Sequence, residues 1–199
     1  MEKQLIISVG REFGSGGHEI AQKLAEHYGI DLLDHNLLDE IAAERGLDVK
    51  NLRHLDEKHK NVVFSRTVKG FSSSPEENVS LLQFDYLQKK AKAGDSFVVV
   101  GRCSENVLKK FDCMISIFVL GDKQKKLERI MELYHLEENV AQKFIMEKDM
   151  KRKRYHNSYC EGKWGDSRNY DISVNSSRLG VEETVAVLVD FIDRSRALM

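Results

Sequence analysis

Residues 3–28 read KQLIISVGREFGSGGHEIAQKLAEHY, and the fold follows from them. Leu5-Ile6-Ile7-Ser8-Val9 is a short apolar run, the pattern of a buried strand. A glycine-rich turn occupies Gly10 to Gly17. Ile20 and Leu24 then repeat at helical spacing, flanked by Ala21, Ala25 and Tyr28. Strand, glycine turn and helix together make a phosphate cradle. Glycines let main-chain N–H groups approach an anion, and the helix N-terminus adds about half a positive charge. The general pattern is G-x-x-x-x-G-K-S/T. Aligned on the helix, Gly16 is the second glycine, Arg11 takes the first position, Gly17 the lysine position and His18 the serine or threonine position. The alternative, a tight turn with no anion, leaves four glycines within eight residues unexplained.

Outward from that stretch, the chain alternates strands with helices. Gly29 suits a C-cap, and residues 30–34 read as a second strand ending in Asp34. Asn36 is placed to cap a helix bearing Leu37, Leu38 and Ile41 that stops near Gly46. Residues 47–66 are charged and weakly periodic, read as a short helix around Leu52 and Leu55 and a mobile connection. Residues 71–76, with the sole proline Pro75, read as a loop; a helix carrying Val79, Leu82 and Tyr86 follows and ends at Gly94. Residues 97–101 are a buried strand delivering Arg102, and Ser104 is placed to cap a short helix to about Lys110. Residues 114–120 are another strand, and Asp122 is placed to cap a helix bearing Leu127, Ile130, Met131 and Tyr134. A helix from Glu137 towards Tyr155, a polar loop at 162–170, a last strand at 171–174 and a final helix through Val181, Val185, Leu188 and Ile192 complete the chain.

This order predicts an α/β domain: a parallel sheet with helices on both faces and strand C-termini on one edge. Gly10–Gly17, Asp34 and Arg102 all follow strands, so they should share that edge. At 199 residues a single domain is expected, burying roughly 70% of its unfolded surface. A net charge of −1 gives no electrostatic case for a nucleic-acid or membrane partner. Cys103, Cys113 and Cys160 are an odd, widely spaced set without C-x-x-C, which argues for reduced thiols in a cytoplasmic protein and against a zinc site. There is no signal-peptide pattern and no long apolar span.

Phosphoryl transfer asks a protein for positioning and positive charge. Lys148, Lys151, Arg152, Lys153 and Arg154 crowd one short stretch around Asp149, and Arg129 lies one helix earlier. Folded over phosphates, such a segment excludes water; the alternative is a solvated helix face. Arg102, directly after an apolar strand and a glycine, is placed to hold phosphate or carboxylate, or a structural ion pair. Asp34 suits ligand hydroxyls or amines, magnesium through water, or a helix cap. His18 is a phosphate donor or a surface residue, and no two histidines stand at i and i+4. Trp164, Tyr155 and Tyr159 read as packing residues.

The chain resembles the cytidylate kinase-like family of P-loop proteins. The resemblance is carried by SVGREFGSGGHEIAQKLAEHYG at 8–29, LLDHNLL at 32–38, VVVGRC at 98–103, LERIM at 127–131, DMKRKRYHNSY at 149–159 and WGDSRNYDISVNSSRLGVEE at 164–183. It implies a three-layer P-loop kinase fold with five parallel strands, a helical acceptor-binding insert at 36–96 and a lid at 136–168. It also implies ATP with Mg2+ over Gly14, Ser15, Gly16, Gly17 and His18, with Arg11 within the same loop. Arg152 and Arg129 would act on the transferred phosphoryl group, and Arg102, Asp34 and Asp149 would hold an acceptor such as CMP. Cytidylate kinases carry a lysine where this chain has Gly17; Arg11 or a lid arginine is the candidate substitute. A nucleotide-binding regulatory protein and a kinase of a non-nucleotide small molecule are the other readings.

Overall fold

The computed structural model describes residues 3–55, 67–68, 71–72 and 75–198. In chain order the elements are β1 (Ile6–Arg11), α1 (Gly17–Tyr28), β2 (Asp31–Leu33), α2 (Leu37–Arg45), α3 (Val49–Leu55), β3 (Thr67–Val68), β4 (Phe71–Ser72), α4 (Pro75–Ala93), β5 (Phe97–Val100), α5 (Ser104–Val107), β6 (Met114–Leu120), α6 (Lys123–Tyr134), α7 (Glu138–Tyr159), β7 (Ile172–Asn175) and α8 (Ser176–Leu198). The expected connection after α3, residues 56–66, lies outside the described residues. The expected loop at 71–76 is in its described part the strand β4, paired antiparallel with β3, and the start of α4 at Pro75. Proline suits a first helical turn, where its missing N–H goes unneeded.

Five strands form one parallel sheet in the order β2-β5-β1-β6-β7. Strands covered on both faces carry unbroken apolar runs, and their alternate residues serve two cores. Leu5, Ile7, Val9, Val98, Val100, Ile115, Ile117 and Val119 pack with Ile20 and Leu24 of α1 and Leu188 and Ile192 of α8. Ile6, Phe97 and Val99 face the other way, onto Leu38 and Ile41 of α2 and Leu87 of α4. A third cluster joins α6 and α7 through Leu127, Ile130 and Ala141. Among the described residues no helix is long and apolar enough to cross a membrane.

Three expected caps take other partners. No side-chain cap bond forms at Asn36 or Asp122, and Cys103 rather than Ser104 occupies the cap of α5. Asn36 Oδ1 accepts from the Asp34 N–H (3.1 Å), Asp122 Oδ1 from Asn175 (2.8 Å), and the Ser104 hydroxyl pairs with that of Ser8 (2.6 Å). The first bond closes the turn after β2, the second joins the ends of β6 and β7, and the third ties α5 to β1.

Candidate phosphate-transfer site

The chain leaves β1 for one side of the sheet and later returns to the other. That makes the C-terminal end of β1 a switch point, where ligands of open α/β sheets bind. The turn there carries Gly14 at φ 84° and Gly16 at φ 77°, left-handed conformations that glycine reaches without cost. It is braced from within: Ser15 Oγ donates to the Glu12 carbonyl (2.9 Å) and accepts from the Gly17 N–H (3.3 Å). It is also braced from outside, because Ser176 Oγ donates to the carbonyls of Ser15 (2.6 Å) and Leu120 (3.1 Å). Removing a buried donor strands its acceptors. Ser176→Ala is expected to cost about 1–2 kcal/mol in denaturant unfolding.

Three of the expected arginines converge on this turn. With the glycines and His18, Arg11, Arg129 and Arg152 line a cleft of about 360 Å³. Arg129 comes from α6 and is held by Glu19 Oε2 at 2.6 Å. Arg152 comes from α7; its Nη1 donates to the Arg11 carbonyl (3.4 Å) and its guanidinium lies 5.4 Å from the Phe13 ring centre. Of the basic run on α7 it alone faces the loop: Lys151, Lys153 and Arg154 are exposed.

Arg11 explains Gly17. A Cβ at Gly17 would stand 2.5 Å from Arg11 Cβ and 3.1 Å from Arg11 Cγ. The arginine stem fills the space that a side chain at the lysine position would need. Its guanidinium crosses to the next strand end and packs on Gly101. There a second, smaller cleft opens, lined by Arg11, Arg102, Arg152, Tyr155, Trp164 and Tyr170 among others. Arg11 and Arg152 therefore stand at the junction of two clefts. Arg102 is buried and holds φ 59°, an uncommon conformation outside glycine.

Asp34 sits at the end of β2 and bonds His18 Nε2 (2.7 Å), His35 Nδ1 (2.9 Å) and the Asn36 N–H (3.1 Å). Burial alone would raise its pKa; the bonds from His18 and Asn36 outweigh it and hold the carboxyl below the ordinary range. Its neighbourhood is thus the start of α1. Asp149, expected among the acceptor-binding groups, lies against the glycine turn: Oδ1 accepts the Phe13 N–H at 2.6 Å, and Oδ2 is 3.5 Å from Lys126 Nζ. Burial pushes its carboxyl above the usual range despite those partners.

Sequence reasoning missed Lys126 and Glu12. Lys126 is buried, and its Nζ bridges Glu12 Oε2 (2.9 Å) and Asp149 Oδ2, while Glu12 also accepts from the Gly121 N–H (3.1 Å). Two carboxylates and one ammonium thereby tie α6, α7 and the loop together. The available signal was spacing: Lys126 shares a helical stripe with Ile130, a core position. The expected packing aromatics are packed, Trp164 edge-on to Phe118 and Tyr155 against Tyr159.

A glycine loop between a parallel strand and a helix, at the switch point of a five-stranded sheet, is the P-loop kinase fold. The family model for the cytidylate kinase-like family matches residues 6–178, and the chain belongs to that family. Cytidylate kinases from Methanopyrus kandleri (95% of this chain, 93% of that protein) and Pyrococcus horikoshii (96% and 89%) are each 26% identical to it. Among solved structures, an uncharacterized protein from Eubacterium ventriosum is 39% identical with a TM-score of 0.76, covering 96% of this chain and 99% of that one. A shikimate kinase from Bacteroides thetaiotaomicron, 13% identical with a TM-score of 0.56 over 95% and 98% of the two chains, shares the fold.

Proposed function

We propose that the chain transfers the γ-phosphoryl group of ATP to a small acceptor, a nucleoside monophosphate such as CMP being the leading candidate. The reading rests above all on Arg11 and Arg152 standing where the glycine-loop cleft meets the cleft of Arg102. A phosphoryl group moving between two bound nucleotides crosses such a junction. In this reading the N–H groups of residues 14–18 take the donor phosphates, and Glu19 aims Arg129 at them. Arg152 and Arg11 neutralise charge on the equatorial oxygens of the moving group. Arg102 and Tyr155 lie in the acceptor's cleft. A monophosphate acceptor is already anionic at neutral pH, so its attack needs no general base. Asp149 and Lys126 act as positioning residues, fixing the loop through Phe13 and Glu12.

Magnesium would arrive with ATP and supply positive charge against the phosphates. The donor set near the loop fits a hard cation through the carboxylate of Asp34, reached by way of water and standing next to His18.

Arg11 takes the charge role of the absent lysine. Arg11→Ala should weaken ATP binding by about 10-fold or more and lower turnover further, because a desolvated phosphate contact is lost. Unchanged affinity and turnover would show that Arg11 only fills space. The function itself is tested by a coupled assay of ATP against nucleoside monophosphates, small alcohols and small acids. Turnover with CMP is expected, and no turnover with any acceptor removes the enzymatic reading. The second reading, a nucleotide-binding regulatory protein, is favoured by Gly17 alone, and calorimetric ATP binding without transfer would support it.

A further inference from the structure

The fold assembles a set of metal donors that no local sequence pattern displays. His156 lies in the last turn of α7 and Cys160 is its C-cap, the Cys160 N–H donating to the His156 carbonyl at 2.9 Å. Glu105 of α5 comes to meet them: its Oε1 lies 2.6 Å from His156 Nε2 and 3.9 Å from Cys160 Sγ. One donor atom from each of the three lies within 4.8 Å of the others. Zinc holds sulfur at about 2.3 Å and nitrogen or oxygen at about 2.0–2.2 Å, so tetrahedral donors stand roughly 3.3–3.7 Å apart. Small rotamer changes reach that arrangement.

The surroundings support it. Glu105 and His156 are nearly sealed from solvent, with 6% and 7% of their side chains exposed. Asn157 Oδ1 stands 3.3 Å from His156 Nδ1. With a metal on Nε2, a proton on Nδ1 would satisfy that contact, the usual outer-shell device for a histidine ligand. A cleft of about 250 Å³ lined by all three donors gives access and room for water.

We infer that Glu105, His156 and Cys160 bind one zinc-class divalent cation, with water in the fourth position. A buried Glu–His pair alone would account for two of the three groups. The sulfur is the donor that selects zinc over magnesium or calcium. The ion would pin the end of α7 to α5. His156 lies one helical turn beyond Arg152, so the same ion fixes the rotation of the helix that presents Arg152 to the loop.

The test uses the full chain, reduced and stripped of metal, titrated with Zn2+ and separately with Co2+. The expected result is one ion per chain, with a thiolate-to-cobalt charge-transfer band and visible bands of tetrahedral intensity. Cys160→Ser and His156→Gln should abolish that band and weaken zinc binding at least about 100-fold. His35→Ala should leave the spectrum unchanged; it alters the other described cluster of such donors, His18, Asp34 and His35. No binding at micromolar zinc, binding without a sulfur band, or loss of binding in His35→Ala but not in Cys160→Ser overturns the inference. The wild-type cobalt spectrum decides even where a variant folds poorly.

Discussion

Arg152→Ala is expected to lower turnover about 1,000-fold while KM values and stability change little. The side chain lies where both clefts meet, held by the Arg11 carbonyl, the face of Phe13 and Asp149 at 4.0 Å. Those contacts are individually modest, so their loss should cost about 1 kcal/mol of stability or less. The charge is different. A guanidinium aimed at a moving phosphoryl group supplies roughly 10³–10⁵ in GTPases, and one preorganised donor about 10²–10³. Arg152→Lys should recover less than a tenth of the loss, because a compact ammonium cannot span two oxygens in fork geometry. Steady-state kinetics with the best acceptor, beside thermal unfolding, separates the effects. A turnover within about threefold of the parent would remove Arg152 from the chemistry.

Gly17→Lys restores the usual P-loop residue and should damage the protein. The new Cβ would lie 2.5 Å from Arg11 Cβ and 3.2 Å from Val119 Cβ, and neither is the loose end of a side chain. Arg11 or the loop must move. Overpacking of this kind costs about 1–3 kcal/mol, or several degrees in Tm for a chain of this length. Displacing Arg11 also removes its guanidinium from the cleft junction. ATP affinity should fall by about 10-fold or more, read by calorimetry. A variant that binds ATP more tightly than the parent would show that the loop lacks a lysine for reasons unrelated to Arg11.

Much of this was legible in the residues, and the exceptions share a cause. Strands such as Phe97–Val100 are apolar on every residue because both faces are covered, so pattern alone found them. The convergence of residues 10–17, Asp34 and Arg102 on one edge followed from parallel connections. Asn36, Ser104 and Asp122 each had a cap's chemistry, but the Asn36 oxygen closes the local turn with Asp34, and Ser8 and Asn175, distant in sequence, take the other two. Lys126 and Asp149 belong to a network through Glu12 and Phe13, more than a hundred residues away, which no window of sequence contains. Glu105 and His156, 51 residues apart, were hidden for the same reason.

Bare main-chain N–H groups of the loop, with arginines from β1, α6 and α7, are proposed to hold the donor phosphates. A crystal structure of the chain with ADP and CMP would decide it. The expected result places the ADP β-phosphate on the N–H groups of residues 14–18, within hydrogen-bonding reach of Arg11 and Arg129. Arg152 then lies between the two ligands, and the CMP phosphate sits on Arg102. Phosphates bound away from that loop, or Arg11, Arg129 and Arg152 turned out of the cleft with both nucleotides present, would contradict it.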